Sequence, residues 1–206
     1  MIAVVDYGVN NLSSVVRALA AAGHEARLSA DPDELRKAGR LVVPGVGHFG
    51  QGSRNLAERG LPDAIRAVAA AGRPVLGICL GLQLLFPESE EAPGATGLGI
   101  LDGRVIRFRS CLPLPHVGWA EVRPTEQGMR HPALMSLFPD GATFYYHVHS
   151  YHPSDLAAGT ALALGDYGGA FPAIVGRENV LGVQFHPEKS QQAGVALLAK
   201  FASWNP

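Results

Sequence analysis

One cysteine, Cys79, stands between two glycines where an apolar run gives way to a helical pattern, in Gly77-Ile78-Cys79-Leu80-Gly81. The run Val75 to Ile78 predicts a buried strand, and the leucines after Cys79 predict a helix. So sharp a turn holds its central residue in a strained conformation, and flanking glycines remove side-chain clashes. The helix N-terminus favours a thiolate, and the N–H of Leu80 points to where an oxyanion would form. The segment predicts a nucleophile elbow, although a lone cysteine is more often a buried structural residue.

A second segment, Gln184-Phe185-His186-Pro187-Glu188, ends another apolar run and supplies a base. Residues i and i+2 of an extended chain share a face. Glu188 is therefore expected to accept a hydrogen bond from one imidazole nitrogen of His186 while the other nitrogen faces Cys79. A cysteine, a histidine and a carboxylate suffice for acyl transfer. Alone, His186 would be read as a solvated loop histidine.

His147, His149 and His152 favour a different interpretation, as metal ligands. His147 and His149 would lie on one face of a strand, but no cysteine or carboxylate spacing nearby completes a site. We therefore predict no metal and no cofactor.

The glycine loop Gly45-Val46-Gly47-His48-Phe49-Gly50 matches G-x-G-x-x-G, which is typical of dinucleotide-binding oxidoreductases. Two features oppose that reading: the loop follows a later strand than the first, and Pro44 removes a donor at the turn. The alternative is that an amide of this loop supplies a second oxyanion-hole donor.

Short apolar runs alternate with helical patterns over the first ninety residues, which is typical of a parallel sheet with crossover helices. We predict one domain over residues 1–206, an α/β sandwich whose central sheet is mostly parallel, with extra antiparallel strands in the C-terminal half. The predicted strands are Ile2–Val5, Leu41–Val43, Val75–Ile78, Arg104–Phe108, Val117–Val122, Thr143–Val148, Thr160–Leu164, Ala170–Val175 and Val180–Phe185. The predicted helices run from a cap at Asn10 or Asn11 to Gly23, from Leu61 to Ala71, from Leu80 to Leu85 and from Ser190 to Trp204.

Charge and cysteine content limit the partners. The formal net charge is −1, which makes nucleic acid an unexpected partner. No apolar run reaches the ~18 residues of a membrane span, and the N-terminus reads as a strand rather than a signal peptide. Two cysteines without metal spacing indicate a reducing, cytoplasmic setting.

These motifs together resemble the class-I, triad-type glutamine amidotransferases. The segment from Gly77 to Gln83 is similar to their nucleophile motif, and Gln184 to Glu188 is similar to their second motif. Further segments resemble the glutaminase subunits of imidazole glycerol phosphate synthase: Asp6-Tyr7-Gly8 with Asn11-Leu12, Pro44-Gly45-Val46-Gly47 and Pro115-His116-Val117-Gly118-Trp119.

The resemblance implies that Cys79 forms a glutamyl thioester, His186 is the acid and base, and Glu188 orients it. Leu80 and an amide within Gly45–Gly47 would form the oxyanion hole, after a rearrangement induced by the partner.

Gln83 and Glu91 match substrate-binding positions in this family. Glu91 has an equally good alternative interpretation as part of a solvated acidic turn. Tyr146 and Lys189 match positions near a subunit interface.

The resemblance also implies a partner. It would be a (β/α)8-barrel cyclase that forms a heterodimer with this chain and uses ammonia from L-glutamine in histidine biosynthesis. Alternatives that remain are the glutaminase of another synthase, such as pyridoxal phosphate synthase, and a dinucleotide-binding protein that uses the loop at 45–50.

Overall fold

The computed structural model describes all 206 residues of the chain. The strands are β1 (Ile2–Val5), β2 (Ala26–Ser29), β3 (Arg40–Val43), β4 (Val75–Ile78), β5 (Arg104–Arg107), β6 (His116–Pro124), β7 (Thr143–His149), β8 (Tyr151–Ser154), β9 (Ala161–Asp166), β10 (Ala170–Arg177) and β11 (Val180–Val183). The α-helices are α1 (Leu12–Ala21), α2 (Pro32–Lys37), α3 (Phe49–Glu58), α4 (Pro62–Ala70), α5 (Leu80–Leu84), α6 (Glu126–Arg130) and α7 (Gln191–Ser203). A 3₁₀ turn covers Pro187–Lys189.

Nine of the strands form one mixed sheet in the order β2-β1-β3-β4-β11-β10-β9-β6-β7. The first five strands of that order run parallel, and each later neighbour is antiparallel. Strands β4 and β11 are adjacent, with Ile78 opposite Val183. Because parallel neighbours end at the same edge, the residues that follow β4 and β11 meet there.

Helices cover both faces of the parallel half. Val15 and Leu19 of α1 and Phe201 of α7 pack in one core with Val4 of β1. Helices α2 to α5 belong to a second core that contains Val5 of the same strand. The change of core between residues 4 and 5 is the period-2 alternation of a strand buried on both faces.

The predicted α/β architecture is confirmed, and the C-terminal strands lie within two residues of their predicted ends. Three of the predicted strands are buried throughout: β1, β4 and β11. The prediction missed β2, α2, α6 and β8, and it gave no bounds for α3. No helix has both the length and the apolar character needed to cross a membrane.

Candidate active site

The turn between β4 and α5 has the strained geometry predicted for a nucleophile elbow. The backbone of Cys79 adopts φ 51° and ψ −106°, a conformation that residues other than glycine rarely adopt. Its glycine neighbours are required for packing. A Cβ at Gly77 would lie 2.7 Å from the backbone of Leu82, and a Cβ at Gly81 would lie 1.7 Å from the carbonyl oxygen of Val43. The fold therefore holds Cys79 between two close backbone contacts.

His186 and Glu188 form a buried pair at the end of β11. Nδ1 of His186 lies 2.7 Å from Oε1 of Glu188, and each side chain is 1% exposed. The expected pairing is present, but its predicted cause is wrong: the residues after His186 form a 3₁₀ turn instead of continuing in extended form. This turn, begun by Pro187, brings Glu188 back toward the imidazole.

The charge state of His186 follows from its neighbours. Burial alone would lower the pKa of His186, but the negative charge of Cys79 and the hydrogen bond and charge of Glu188 raise it to about 10. The imidazole is therefore protonated at neutral pH. Its Nε2 makes no hydrogen bond within the chain and remains available to a reacting group.

Asn11 extends the His186–Glu188 hydrogen-bond network, a role that the sequence did not predict. Asn11 is the N-cap residue of α1, one of the two predicted positions, but its side chain makes no capping bond and its φ is 75°. Its Nδ2 instead donates to Oε1 of Glu188 at 2.7 Å. Asn11 thus helps fix the carboxylate that holds His186.

The predicted oxyanion donor at Leu80 is occupied. Its N–H donates to the carbonyl oxygen of Gly45 at 3.4 Å, at the long end of the hydrogen-bond range. The buried Tyr7 hydroxyl anchors the glycine loop by donating a hydrogen bond to the carbonyl oxygen of Pro44 at 2.6 Å. A Cβ at Gly45 would lie 2.2 Å from that hydroxyl oxygen, so only glycine fits. In this conformation a carbonyl, rather than an amide, of the loop faces Leu80.

Cys79 opens into a cavity of about 520 Å³. Val46 and Gly47 of the glycine loop line this cavity, and the loop follows β3 rather than β1. The resemblance to a dinucleotide fingerprint therefore finds no support in the position of the loop. Pro115, just before β6, also lines the cavity, as do four residues where β7 meets β8: Val148, His149, Ser150 and Tyr151. Of these, no sequence motif pointed to Val148, Ser150 or Tyr151.

The two expected substrate-binding residues, Gln83 and Glu91, both line this cavity. Glu91 is not simply part of a solvated turn, because its Oε2 accepts a hydrogen bond from the N–H of Phe49 at 2.6 Å, at the start of α3. A carboxylate at a helix N-terminus is stabilised by the unpaired N–H groups there. Glu91 therefore links the acidic turn to the glycine loop.

Three buried histidines lie beside the cavity, with possible ligand atoms within 4.8 Å of one another: His116, His147 and His149. The His116 and His147 rings are nearly parallel, 12° apart, with centroids separated by 4.9 Å. Nδ1 of His147 lies 3.0 Å from Nε2 of His149, and Nδ1 of His149 lies 2.9 Å from the carbonyl oxygen of Tyr151, so these ring nitrogens are engaged in hydrogen bonds. Burial, with smaller effects from His116 and His186, lowers the pKa of His147 to about 3. Burial lowers the pKa of all three, so they are neutral aromatic rings, and His149 lines the cavity.

Tyr146 and Lys189, the expected interface residues, contact each other: Nζ of Lys189 lies 5.8 Å from the centre of the Tyr146 ring. Trp119 meets the same ring edge-on at 6.3 Å. Trp119 and Tyr146 are cross-strand partners on β6 and β7. Val117 and Phe144 share their face of the sheet, and these four side chains are called the β6–β7 patch below.

Comparison with known proteins places this geometry in context. The family model described as "Glutamine amidotransferase class-I" matches residues 3–203. The imidazole glycerol phosphate synthase subunit HisH of Symbiobacterium thermophilum is 52% identical over 200 residues, covering 97% of this chain and 92% of that protein. The HisH subunit of Bacillus subtilis is 41% identical, covering 98% and 95%.

Solved structures support the fold. A crystal structure of a glutamine amidotransferase matches with a TM-score of 0.75 at 21% identity, covering 97% of this chain and 99% of that chain. The glutaminase domain of the Trypanosoma brucei CTPS, solved with acivicin bound, matches with a TM-score of 0.69 at 18% identity, covering 100% and 96%.

Proposed function

This chain belongs to the class-I glutamine amidotransferase family and, within it, to the HisH subunits, and from that premise we propose that it hydrolyses L-glutamine for an imidazole glycerol phosphate synthase. The observation that carries the proposal is the buried 2.7 Å bond between His186 and Glu188. These residues follow β11, which lies next to β4, the strand that leads to the strained Cys79. The activity belongs to histidine biosynthesis, and we expect a cytoplasmic setting and no cofactor.

The chemistry follows from the proposed roles of three side chains. The Cys79 thiolate attacks the side-chain carboxamide carbon of glutamine and forms a C–S bond. His186, protonated at neutral pH, gives its proton to the leaving nitrogen. The C–N bond breaks, ammonia departs and a glutamyl thioester remains. Water then attacks the thioester and passes a proton to His186, and the C–S bond breaks to give glutamate and the thiolate.

The glycine loop explains why hydrolysis would depend on a partner. A tetrahedral intermediate needs N–H donors at its oxyanion, and the Leu80 N–H is held by the carbonyl of Gly45 at 3.4 Å. Removing one such donor typically costs about 10²–10³ in rate. We expect this chain alone to be nearly inactive until a rearrangement at Gly45, Val46 and Gly47 turns an amide toward the site.

The proposed partner is a (β/α)8-barrel cyclase that forms a heterodimer with this chain and captures the ammonia. The β6–β7 patch supports a docking position there, because Val117, Trp119 and Phe144 are 56%, 46% and 55% exposed. Exposed aromatic side chains that cluster on a sheet face are typical of protein interfaces. Lys189, which contacts Tyr146 of this patch, also lines the glutamine cavity.

The test is glutamate release from glutamine, measured with the cyclase and its nucleotide substrate present, with the cyclase alone, and with neither. We expect substantial release only when both are present. Equally strong release by the isolated chain would contradict the coupling. Absence of release under all three conditions would contradict the proposed function itself.

A further inference from the structure

A chain of buried amides connects the glutamine cavity to the sulfur of Cys79. Nε2 of Gln83 donates to the carbonyl oxygen of Tyr151 at 3.2 Å and to Oε1 of Gln184 at 3.3 Å. Nε2 of Gln184 in turn donates to the Cys79 sulfur at 3.8 Å. Gln184 is completely buried, and none of its side-chain atoms reaches the cavity.

The orientation of both amides is determined by one backbone group. The carbonyl of Tyr151 can only accept, so the NH₂ group of Gln83 must face it. The second N–H of that group then requires an acceptor, which is Oε1 of Gln184. The NH₂ group of Gln184 is thereby turned toward the sulfur. Reversing either amide would bring two acceptors or two donors together.

On the basis of the proposed function, we propose that Gln184 is a positioning residue that stabilises the Cys79 thiolate and couples it to the substrate-binding amide of Gln83. A donor aimed at a buried sulfur stabilises the thiolate more than the neutral thiol, because hydrogen bonds to charged groups are the stronger ones. Gln184 and His186 are two residues apart, so one segment supplies the sulfur with both an amide donor and an imidazolium.

The hydrogen bonds of Gln83 allow it to couple substrate binding to the Gln184 amide. Both of its N–H groups are used within the chain, so the Oε1 of Gln83 is the atom left to accept from the α-ammonium of glutamine. A positive charge at that oxygen polarises the amide and strengthens its donation to Gln184. Gln184 then becomes a stronger donor to the sulfur, so bound glutamine favours the reactive thiolate.

Other groups also respond to the charge of Cys79 and must be separated from Gln184. Tyr7 and His186 are the titratable side chains on which that charge acts directly, and Glu188 acts through His186. His149, Glu91 and Lys189 line the same cavity. All of these residues are unchanged in the variants below. A change in the fraction of Cys79 present as thiolate is therefore attributed to the loss of the Gln184 amide.

The experiment measures the rate of Cys79 alkylation by iodoacetamide against pH, in a Cys111→Ser background because Cys111 is exposed. Gln184→Met keeps the side-chain length and removes the donor. Gln184→Glu keeps an acceptor for Gln83 and places a carboxyl group beside the sulfur. We expect the inflection to move upward in both, by about one pKa unit in Gln184→Met, which is about tenfold slower alkylation at pH values below both inflections. Gln127→Met makes the same change at an exposed position and should leave the profile unaltered.

A merely structural role would lower the thermal midpoint of Gln184→Met and leave its alkylation profile superimposed on that of the parent, and that result would overturn the proposal. In the assembled synthase we expect kcat to fall more than KM rises for Gln184→Met. The reverse is expected for Gln83→Met, which loses a direct substrate contact.

A measurement on the Cys111→Ser chain covers the case in which neither Gln184 variant folds. The side-chain amide ¹⁵N–¹H resonances of Gln184 should shift as the Cys79 thiol titrates, and an invariant resonance would overturn the proposal. The outcome is separable from the proposed function. Glutamine hydrolysis with an invariant Gln184 rejects only the amide chain, whereas a shifting resonance without hydrolysis rejects only the function.

Discussion

The charge on His186 is the property of this site most directly set by single residues. Its pKa of about 10 depends on Glu188 and Cys79, which together outweigh burial. Glu188→Gln removes the negative charge while keeping an acceptor oxygen. We expect the pKa of His186 to fall in this variant, as measured by NMR titration of the imidazole resonances. Glu126→Gln, an exposed change, is the control, and an unaltered His186 pKa in Glu188→Gln would contradict this account.

The same residue makes stability depend on pH. An unfolded histidine has a pKa of about 6.5, below the folded value of about 10. The protonated imidazole therefore contributes stability that is fully present below about pH 6.5 and is lost as the pH rises through about 10. Glu188→Gln lowers the pKa of His186 in the folded protein, which is the upper end of this pH range. The free energy of unfolding of this variant should therefore decline over a narrower range of pH, as measured by urea denaturation.

Asn11 is the residue whose proposed role is simplest to test in isolation. Asn11→Ala removes the 2.7 Å bond to Glu188 and leaves the triad side chains in the chain. Hydrogen bonds to charged groups contribute about 1.5–3 kcal/mol, so we expect glutamine-dependent kcat to fall by about tenfold or more. The neighbouring exposed asparagine supplies the matched control, Asn10→Ala. Equal kcat values for the two variants would show that Asn11 does not act through Glu188.

At the scale of elements, the junction of β4 and α5 is the most demanding packing contact of the site. A Cβ at Gly81 would lie 1.7 Å from the carbonyl oxygen of Val43, which is backbone and cannot turn away. We expect Gly81→Ala to lower the free energy of unfolding by about 3 kcal/mol, at the upper end of the effects typical of overpacking. Gly39→Ala, where the added Cβ would meet Met1 at 3.5 Å, should change it little. Urea denaturation of both variants gives the comparison.

Three of the predicted strands are recognisable because their burial is continuous. β1, β4 and β11 are buried at every residue and therefore read as apolar runs. β2 lies at the edge of the sheet with two exposed residues, so it carries no such run. α2 has a capping aspartate, a proline at its start and basic residues in its last turn, so its signal was present and was overlooked.

The site divides in the same way. The triad residues lie in short motifs whose local spacing indicates their chemistry, and the pairing of His186 with Glu188 was expected even though a 3₁₀ turn achieves it. Asn11 reaches Glu188 across 177 positions of sequence, and local patterns carry no information about such a contact. The carbonyl of Gly45 against Leu80 depends on the conformation of one peptide, which composition does not determine.

At the scale of the whole molecule, the β6–β7 patch lies at one edge of the sheet, where β7 has no further strand beside it. Trp119→Ala removes the largest exposed side chain of the patch while leaving the cavity intact. We expect the affinity for the cyclase to fall by about 2 kcal/mol, roughly thirtyfold in Kd, as measured by calorimetric titration. Met129→Ala, which shortens a 62% exposed side chain on α6, should bind as the parent does. Binding of Trp119→Ala with the affinity of the parent would place the docking surface elsewhere.

The central claim is that this chain supplies ammonia, and Cys79→Ala assembled with the cyclase tests it most directly. Formation of imidazole glycerol phosphate is measured once with glutamine and once with an ammonium salt as the nitrogen source. We predict that synthesis from glutamine is abolished and that synthesis from ammonium continues at the rate of the parent complex, because only the source of ammonia is lost. Loss of both activities would contradict the claim and make Cys79 a structural residue.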